Sequence, residues 1–448
     1  MRADSGIDGE QARRAVMLQS GVNHRFELVD EVLDGKRPML IEASAGTGKT
    51  YSLERLVARL VVEEDVPVQS LLIMTFTRAA TAELSLRIRK ILMAFRDDLE
   101  KIISQGISPE DEGKMARIDR DEFNRKLLVK WIGGKKPLLS CQDCIGRLSD
   151  ALNRFDDAAV FTIHSFCQKM LTDSVFSRGG SFEMSVGDDD AYVAQALDEA
   201  LRRTYASRKE GKDVPFIREL QRWQDWEGKL ARLKSQPMAD VGLAVRFTTE
   251  DGEAPSGETR AQMEAWIQDS FKKVPDRIQA LKRLSKTMTF DDMLLELWLA
   301  LKDNPVLVDN IRRRFRAVLV DEFQDTDPVQ FNILEKLFLS DSGEWNDGKG
   351  RHVFFVGDPK QAIYGFRSAE LETYYQAKEL IGRIGRTRVL DKNFRSTPAL
   401  VRAVNTFFEQ QAVPGVAEGR SRFLDKRIPP YEYVGFDEGK LPLMRRTA

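Results

Sequence analysis

The chain has 448 residues, of which 42% are hydrophobic and 31% are charged, with a formal net charge of −1. This length and balance are typical of a globular protein with two or three domains. A net charge this close to zero excludes binding of nucleic acid through the overall charge of the protein. Any binding of nucleic acid must therefore come from a local basic patch.

The first residues, MRADSGIDGEQARRAV, lack the apolar core of a secretory signal peptide. No apolar run approaches the roughly 18 residues that a membrane-spanning helix requires. The three cysteines fit a reducing compartment. We therefore expect a cytoplasmic protein with no membrane contact.

The segment IEASAGTGKT, residues 41–50, predicts a site for a nucleoside triphosphate. Small residues after a predicted strand form a loop whose backbone N–H groups surround phosphates, and a helix starting near Gly48 adds its positive end. Lys49 would reach the β- and γ-phosphates, and the hydroxyl of Thr50 would ligate Mg²⁺. A turn that binds nothing would leave both residues unexplained. The predicted nucleotide-binding residues are Ala43, which replaces the usual first glycine, Ser44, Ala45, Gly46, Thr47, Gly48, Lys49, Thr50 and Tyr51.

The next apolar run, residues 72–74, ends in Thr75, Phe76 and Thr77 and leads into an amphipathic segment. Hydroxyls at a strand end can contact phosphate, and a ring can stack on a base. Burial in the core is the commoner role of an isolated aromatic residue. Both interpretations of Phe76 therefore stay open.

Helical spacing and frequent charges over residues 97–157 and 180–286 predict a largely helical insertion, with a short strand at 159–163 between its two parts. After that strand, His164 is either a ligand-binding residue or a structural hydrogen-bonding residue. Cys141 and Cys144 have the spacing of half a zinc site. Only Cys167 and three scattered histidines remain to complete it, so we expect neither metal binding nor redox chemistry there.

Basic residues cluster at 271–277 and 282–286 in the insertion, and again at 311–316. Such clusters bind DNA only when they share one surface. A solvated face is the commoner role of a charge run, and that alternative stays open here.

Asp321 and Glu322 follow the apolar run AVLV at 317–320, which predicts a buried parallel strand. The carboxyl ends of such strands are where open α/β sheets bind ligands. Asp321 would hold Mg²⁺ through water, and Glu322 would orient and deprotonate an attacking water. Acids at a strand end are weak evidence alone, but with the loop at Lys49 they predict a nucleotide-hydrolysing site.

Two more core strands are predicted at 352–356 and 387–390. Gln361, after the first, could sense the γ-phosphate or position water, and the aromatic residues that follow it could stack on bases. Arg395, after the second, is a candidate γ-phosphate contact. The alternative for Arg395 is a surface arginine in a helix-entry turn.

In chain order, these motifs resemble the superfamily-one helicases of the UvrD/Rep group, and EASAGTGKT is most similar to the RecB or AddA branch, whose own variant has Ala43. The resemblance implies an α/β fold: a RecA-like P-loop NTPase lobe with a parallel sheet flanked by helices and a large, mostly helical inserted subdomain. The motifs are EASAGTGKT (42–50), TFTRAATAEL (75–84), TIHSFC (162–167), TFDDML (289–294), LVDEFQDTDPVQ (319–330), GDPKQAIYGFRSAE (357–370) and NFRST (393–397).

The resemblance implies an ATP-driven 3′-to-5′ translocase on single-stranded DNA that unwinds duplex ends in recombinational repair. ATP and Mg²⁺ are its implied cofactors, and Thr50 and Asp321 its implied metal ligands. The implied catalytic residues are Asp321, Glu322, Gln361 and Arg395. The implied DNA-binding residues are Thr75, Phe76, Thr77, His164, Tyr364, Phe366 and Arg367.

Relatives often read adenine with a glutamine just upstream of the phosphate loop, and none is evident here. Phe26 and Tyr51 are the candidates for adenine packing. The implied partners are single-stranded DNA, duplex ends and RecC/RecD-like or AddB-like subunits.

We predict a RecA-like lobe made of residues 22–95, 158–178 and 287–412, a helical insertion made of 96–157 and 179–286, and a loop-rich extension at 413–448 that begins a missing second lobe. No later family motif follows Arg395, and no RecB-type nuclease domain is evident. Arginine fingers contribute roughly 10³–10⁵ in rate. We therefore expect the chain alone to bind ATP and Mg²⁺ but to hydrolyse ATP slowly and not to unwind DNA processively.

The alternative function is a non-hydrolysing module that binds ATP and single-stranded DNA and docks on a partner subunit. A P-loop kinase or small GTPase is disfavoured, because the sequence has no guanine-reading Asn/Thr-Lys-x-Asp element and its LVDEFQDTD acids fit a helicase better.

Overall fold

The computed structural model describes residues 24–33, 35–134, 137–176, 185–187, 189–206, 273–339, 350–362, 371–401, 403 and 435–436. The chain divides into two compact units. Unit 1 consists of Met1–Ser165 and Pro305–Ala448, and unit 2 consists of Phe166–Asn304.

The described strands are β1 (His24–Arg25), β2 (Met39–Ala43), β3 (Leu71–Thr75), β4 (Ala159–Thr162), β5 (Ser185–Val186), β6 (Thr287–Met288), β7 (Ala317–Val320), β8 (His352–Gly357), β9 (Arg386–Leu390), β10 (Lys392–Asn393) and β11 (Gly435–Phe436). The described α-helices are α1 (Lys49–Val62), α2 (Arg78–Ser104), α3 (Glu112–Ile118), α4 (Glu122–Ile132), α5 (Cys141–Asn153), α6 (Ile163–Phe176), α7 (Asp190–Ala206), α8 (Phe290–Asp303), α9 (Pro305–Arg314), α10 (Pro328–Leu334) and α11 (Leu371–Ile384). A further helical segment covers 273–284.

Unit 1 is built on a seven-stranded sheet with the strand order β1-β9-β2-β8-β7-β3-β4. All neighbouring strands in it are parallel. The central strands β2, β3, β7 and β8 are buried along their whole length, which explains their nearly continuous apolar sequences. The predicted α/β class with a parallel sheet flanked by helices is confirmed.

The strand register brings the functional candidates to one edge of the sheet. Glu42 pairs with Gly357, Val320 pairs with Phe355, and Ala43 pairs with Leu390. Because the strands are parallel, the residues that follow β2, β7, β8 and β9 emerge at the same end. That end is where open α/β sheets bind their ligands.

Helix α2 carries the apolar core of unit 1 beyond the sheet. It is 27 residues long, and Phe95 and Leu99 in its second half are fully buried. The rings of Phe95 and Trp131 of α4 lie 4.9 Å apart between centroids. The helices at 96–157 share this core, because one amphipathic helix continues across residue 95. The second compact unit begins at Phe166.

The C-x-x-C pair lies in α5 and contacts this same core. Cys144 is fully buried, and burial raises the pKa of its thiol to about 12. Cys141 donates a hydrogen bond from its Sγ to the carbonyl of Leu99. Both thiols therefore serve packing within unit 1.

Among the described residues, no helix combines the length and the apolar content needed to cross a bilayer.

Unit 2 uses a buried lysine to join its described elements. Lys282 is 2% exposed, and its Nζ lies 3.1 Å from Asp189 Oδ2 and 2.6 Å from Asp292 Oδ2. Burial alone would raise the pKa of Asp292, but the hydrogen bonds from Lys282 and the Thr289 N–H lower it below its usual value. The predicted basic patch at 282–286 is therefore wrong for Lys282, because its charge is neutralised inside the unit.

Arg277, a second cation of the predicted basic clusters in unit 2, also forms an ion pair within the unit. Arg277 donates to both carboxylate oxygens of Glu199, at 2.7 and 3.0 Å. Residues 271 and 272 lie outside the described residues. Spacing in the sequence places cations near each other, but it does not show which of them face acids.

Candidate functional site

The loop between β2 and α1 has the sharp backbone turns of a phosphate-binding loop. Gly46 has φ +79° and Gly48 has φ +91°, conformations that residues with a Cβ rarely adopt. The N–H and the hydroxyl of Thr47 both donate to the Ser44 carbonyl, at 3.2 and 2.7 Å. Gly48 precedes α1 without a capping side chain, so the loop leads directly to a helix N-terminus, which favours anions.

Lys49 joins this loop to the end of β7. Its Nζ donates to Oε2 of Glu322 at 2.8 Å, although the two residues are 273 positions apart in the sequence. The Lys49 side chain is 12% exposed and that of Glu322 is 36% exposed. A triphosphate in the loop would compete with Glu322 for the ammonium group, because both are anions within its reach.

Asp321 lies beside this ion pair at the end of β7. Its N–H donates to the Met74 carbonyl at 2.8 Å, and its Oδ1 accepts the Glu322 N–H at 2.9 Å. Burial raises the pKa of Asp321 to about 6, and the negative charge of Glu322 contributes to this increase. A cation near Asp321 would therefore stabilise its ionised form.

The residues available for Mg²⁺ are the Asp321 carboxylate and the Thr50 hydroxyl in the first turn of α1. Oxygen donors of this kind suit Mg²⁺, which is commonly held by one or two carboxylates together with substrate phosphates and water. Among the described residues, no group of three or more acidic, histidine or cysteine side chains is arranged to hold a metal. The residues thus fit a metal that is bound jointly with a nucleotide.

Glu322 has an unusual backbone conformation. Its φ of +52° lies in the left-handed region, where glycine is the usual residue. Non-glycine residues in this region are held there by their surroundings and are frequent at functional sites. In the described part of the chain, two side-chain donors hold the Glu322 carboxylate: Lys49 Nζ, and Gln324 Nε2 at 2.7 Å.

Gln361 lies after β8 at the same edge of the sheet. Its Nε2 donates to Asp358 Oδ2 at 2.7 Å. Asp358 is buried, and its N–H donates to Gln324 Oε1 at 2.9 Å. Hydrogen bonds therefore connect the predicted catalytic residues Glu322 and Gln361 through two residues that the sequence analysis did not single out.

Arg395 follows β10 and lies against the phosphate loop. A Cβ at Gly46 would come within 2.9 Å of the Arg395 Cβ, so the two segments are in close contact. Asn393 fastens them: its Nδ2 donates to the Ala45 carbonyl at 3.0 Å, and its Oδ1 accepts the Arg395 N–H at 2.9 Å. The Phe394 N–H also donates to the Gly46 carbonyl, at 2.8 Å.

A cavity of about 550 Å³ opens beside the phosphate loop. Both adenine-packing candidates line it, together with Thr47, Gly48, Phe123 and Phe394. Phe26 is almost fully buried in the core, whereas the Tyr51 hydroxyl donates to both carboxylate oxygens of Asp121 at 2.8 Å. The guanidinium of Arg55 stacks on the Tyr51 ring, 3.3 Å from its centroid. This size and lining fit a small planar ligand.

The hydroxyls of two DNA-binding candidates take part in hydrogen bonds within the protein. Thr75 is buried, and its Oγ1 lies 2.6 Å from Thr81 Oγ1. Thr77 caps α2 by accepting the Ala80 N–H at 3.1 Å. Phe76, between them, is half-buried at the turn. The two threonines therefore shape the turn that presents Phe76.

His164 lies in the first turn of α6, because β4 ends at Thr162 rather than at the predicted Ile163. Thr162 begins the helix by accepting the Ser165 N–H at 3.2 Å. Burial lowers the pKa of His164, which favours the neutral form of its ring. The remaining DNA-binding candidates lie outside the described residues: Tyr364, Phe366 and Arg367.

A buried acid in the phosphate-loop motif was also not singled out from the sequence. Glu42 accepts Lys378 Nζ at 2.8 Å on both carboxylate oxygens and the Tyr374 hydroxyl at 3.0 Å. These contacts tie the end of β2 to α11. An acid inside an apolar strand was the available signal, since such residues are seldom buried without a partner.

The model of the UvrD/REP helicase N-terminal domain family matches residues 26–381. RecBCD enzyme subunit RecB of Mycobacterium tuberculosis (strain CDC 1551 / Oshkosh) is 28% identical over 389 residues, which are 85% of this chain and 30% of the relative. RecB of Escherichia coli (strain K12) is 28% identical over 485 residues, covering 84% and 38%. RecB of Mycolicibacterium smegmatis is 30% identical over 380 residues, covering 84% and 30%. The chain therefore spans less than half the length of these relatives.

Asp325 is the residue of this site from which we expect a pH-dependent stability. It is 6% exposed, and within the described part of the chain its Oδ1 has no hydrogen-bond partner. Burial, followed by the charge of Glu322, raises its pKa to about 6. An unfolded chain releases this proton near pH 3.9. Between these values the folded protein holds more protons, so its stability falls as the pH rises.

We expect the substitution Asp325→Asn to remove this dependence. Between about pH 5 and about pH 7.5, wild type should lose about 1–2 kcal/mol of unfolding free energy relative to the variant. Urea denaturation at both pH values measures the difference. Asp309→Asn, which removes an exposed carboxylate, is the control, and an equal change in wild type and Asp325→Asn would contradict the prediction.

Proposed function

Because the chain belongs to the UvrD/REP helicase family, whose N-terminal domain it matches over residues 26–381, we propose that it is the ATP- and single-strand-binding first motor lobe of a RecB-like helicase. The activity is 3′-to-5′ translocation on DNA, driven by ATP hydrolysis, in recombinational double-strand break repair. The observation that carries the hydrolytic part is the 2.8 Å pair between Lys49 and Glu322, which joins the phosphate loop to the catalytic strand end.

In this function, residues 43–51 bind the triphosphate, and Lys49 neutralises its terminal phosphates. Glu322 orients the attacking water and accepts its proton. Gln361 and Arg395 act at the γ-phosphate. Thr50 and Asp321 would hold Mg²⁺, which supplies charge neutralisation at the phosphate oxygens.

The adenine ring would lie in the cavity beside the loop, against Tyr51 and near Phe26. Tyr51 is held in place by Asp121 and Arg55, so its ring is rigid before any ligand arrives. A preorganised aromatic surface lowers the entropic cost of binding a planar base. This arrangement supports ATP binding in the absence of an upstream glutamine.

Single-stranded DNA would run along the turn that presents Phe76 and the helix start at His164. A second cavity, of about 510 Å³, lies between the beginning of α2 and β4. Its lining includes Arg78, Arg89, Thr162 and Ser165, so cationic groups adjoin both candidate motifs. Phosphate contacts from arginine and hydroxyl groups are the usual sequence-independent anchors of DNA.

The relatives are subunits of the RecBCD enzyme by name, and the chain spans only 30% to 38% of the three described above. We therefore propose that it acts with a second motor lobe, in cis or in trans, and with RecC/RecD-like or AddB-like partner subunits on duplex ends. We propose that the protein has this activity in the cytoplasm. An arginine finger from that second lobe would contribute roughly 10³–10⁵ in rate.

We expect Lys49→Ala to abolish measurable binding of Mg·ATP, because it removes the cation that faces the phosphates. Glu322→Gln should keep nucleotide binding but lower hydrolysis by at least about 10²-fold, since the amide cannot accept the proton. Equilibrium titration with a fluorescent ATP analogue and steady-state phosphate release, each with and without single-stranded DNA, measure the two effects. Lys302→Ala, at an exposed position in unit 2, is the control.

Two outcomes would contradict parts of this proposal. Undiminished Mg·ATP binding by Lys49→Ala would show that the loop does not bind the triphosphate. Normal binding with no hydrolysis in wild type, even after a second lobe is supplied, would favour the alternative of a non-hydrolysing docking module.

The DNA part has its own test in the cavity between α2 and β4. We expect Arg78→Ala to weaken binding of single-stranded DNA and to reduce the slope of log K against log salt by about 0.7 for each phosphate that the protein no longer neutralises. Fluorescence anisotropy with labelled oligonucleotides over a salt series measures both. The control is Arg117→Ala on α3, and an unchanged slope in Arg78→Ala would remove this cavity from the DNA path.

A further inference from the structure

Gln324 is a buried amide between two strand ends of the nucleotide site. It lies in the short helical turn Phe323–Asp325 after β7 and is 2% exposed. Its Nε2 donates to Glu322 Oε2 at 2.7 Å, and its Oε1 accepts the Asp358 N–H at 2.9 Å. One side chain thus fills a donor role toward β7 and an acceptor role toward the end of β8.

The end of β8 is shaped to admit this amide. A Cβ at Gly357 would lie 2.9 Å from Gln324 Oε1 and 3.2 Å from the Gln324 backbone nitrogen. The first of these distances is shorter than real Cβ contacts, so any other residue at 357 would have to move the amide or the strand. Glycine at this position therefore leaves the space that Gln324 occupies.

The carboxylate of Asp358 extends this series of hydrogen bonds to Gln361. Asp358 is 2% exposed, and its Oδ2 accepts Gln361 Nε2 at 2.7 Å. Its other oxygen accepts the Lys360 N–H and lies 3.1 Å from Lys360 Nζ. The carboxylate orientation is therefore fixed, and the series of hydrogen bonds runs from Glu322 through Gln324 and Asp358 to Gln361.

Glu322 Oε2 accepts from two donors at once, Lys49 Nζ and Gln324 Nε2. If a phosphate draws the Lys49 ammonium away, the carboxylate loses one of the two donors that fix it. Among the described side chains, Gln324 is then the donor that still holds it. Because the bond from Gln324 is charge-assisted, it is stronger than a hydrogen bond between two neutral groups.

We propose that Gln324 is a positioning residue that orients the Glu322 carboxylate and couples it to the Asp358–Gln361 segment. The inference rests on the proposed function, in which Glu322 and Gln361 act on the same phosphate. A shift of Glu322 moves the Gln324 amide, and the rigid amide transfers that shift to the Asp358 N–H. Nucleotide binding at the loop is thereby communicated to the end of β8.

Hydrogen exchange tests this coupling without requiring hydrolysis. The full chain is compared with and without Mg²⁺ and ATPγS, in peptides that cover residues 43–52 and 352–359, the second of which ends before Gln361. In wild type both peptides should respond to the nucleotide. In Gln324→Leu the first should still respond and the second should not. The Asp358 amide should also exchange about 3- to 10-fold faster, because it loses its acceptor.

Two further variants separate positioning from folding. Gln330→Leu removes another buried glutamine amide, in α10, and should respond as wild type does. Gln324→Glu, measured at about pH 9 so that its carboxyl group is ionised, keeps an acceptor for the Asp358 N–H but loses the donor to Glu322. It should therefore protect the Asp358 amide normally and still fail to transmit the nucleotide response.

Hydrolysis provides a second readout. Gln324→Leu should lower kcat by at least about tenfold while the Kd for Mg·ATPγS stays within about twofold of wild type. Combined with Gln361→Ala, its effect should be less than additive, as expected for residues that act in one series of bonds.

The outcomes distinguish the inference from the function on which it rests. No response at 43–52 in wild type would mean that nucleotide does not bind the loop. That result would contradict both the proposed function and the coupling through Gln324. A response at 43–52 with an unchanged response at 352–359 in Gln324→Leu would overturn the coupling alone.

Discussion

The ion pair between Lys49 and Glu322 is the interaction on which the proposed nucleotide site depends. Three carboxylates, Asp321, Glu322 and Asp325, lie close enough that the charge of Glu322 raises the pKa of the other two. Without a cation, such a cluster resists full ionisation in a partly buried site. Lys49 supplies that cation from the phosphate loop, so one side chain stabilises the acids and is also the group that a triphosphate would engage.

The parallel sheet makes this pairing possible. Lys49 and Glu322 are 273 positions apart, yet parallel register brings the ends of β2 and β7 to one edge, with β8 between them. Gln324 reaches across to β8 only because Gly357 leaves room for its amide. The same edge receives Asn393, which fastens the segment of Arg395 to the loop. Residues of the phosphate loop, β7, β8 and the segment after β10 are thus held together at the same set of strand ends.

Contiguous motifs were predictable from the sequence, and side-chain partnerships across the sheet were not. Apolar strands followed by Lys49, Glu322 and Gln361 give local signals, and the structure brings these residues to one edge. The bond between Gln324 and the Asp358 N–H spans 34 positions, and that between Asn393 and Ala45 spans 348, so neither leaves a periodic pattern. Burial of Lys282 was missed for the same reason: its partners become neighbours only in the folded unit.

A crystal structure of the chain with Mg²⁺ and a non-hydrolysable ATP analogue tests the central claim most directly. We predict triphosphate density along residues 44–50, with Lys49 Nζ within about 3.2 Å of a phosphate oxygen and beyond about 3.5 Å from Glu322. The purine would lie in the cavity that Tyr51 lines. A triphosphate bound elsewhere, with the Lys49–Glu322 hydrogen bond intact, would contradict the account.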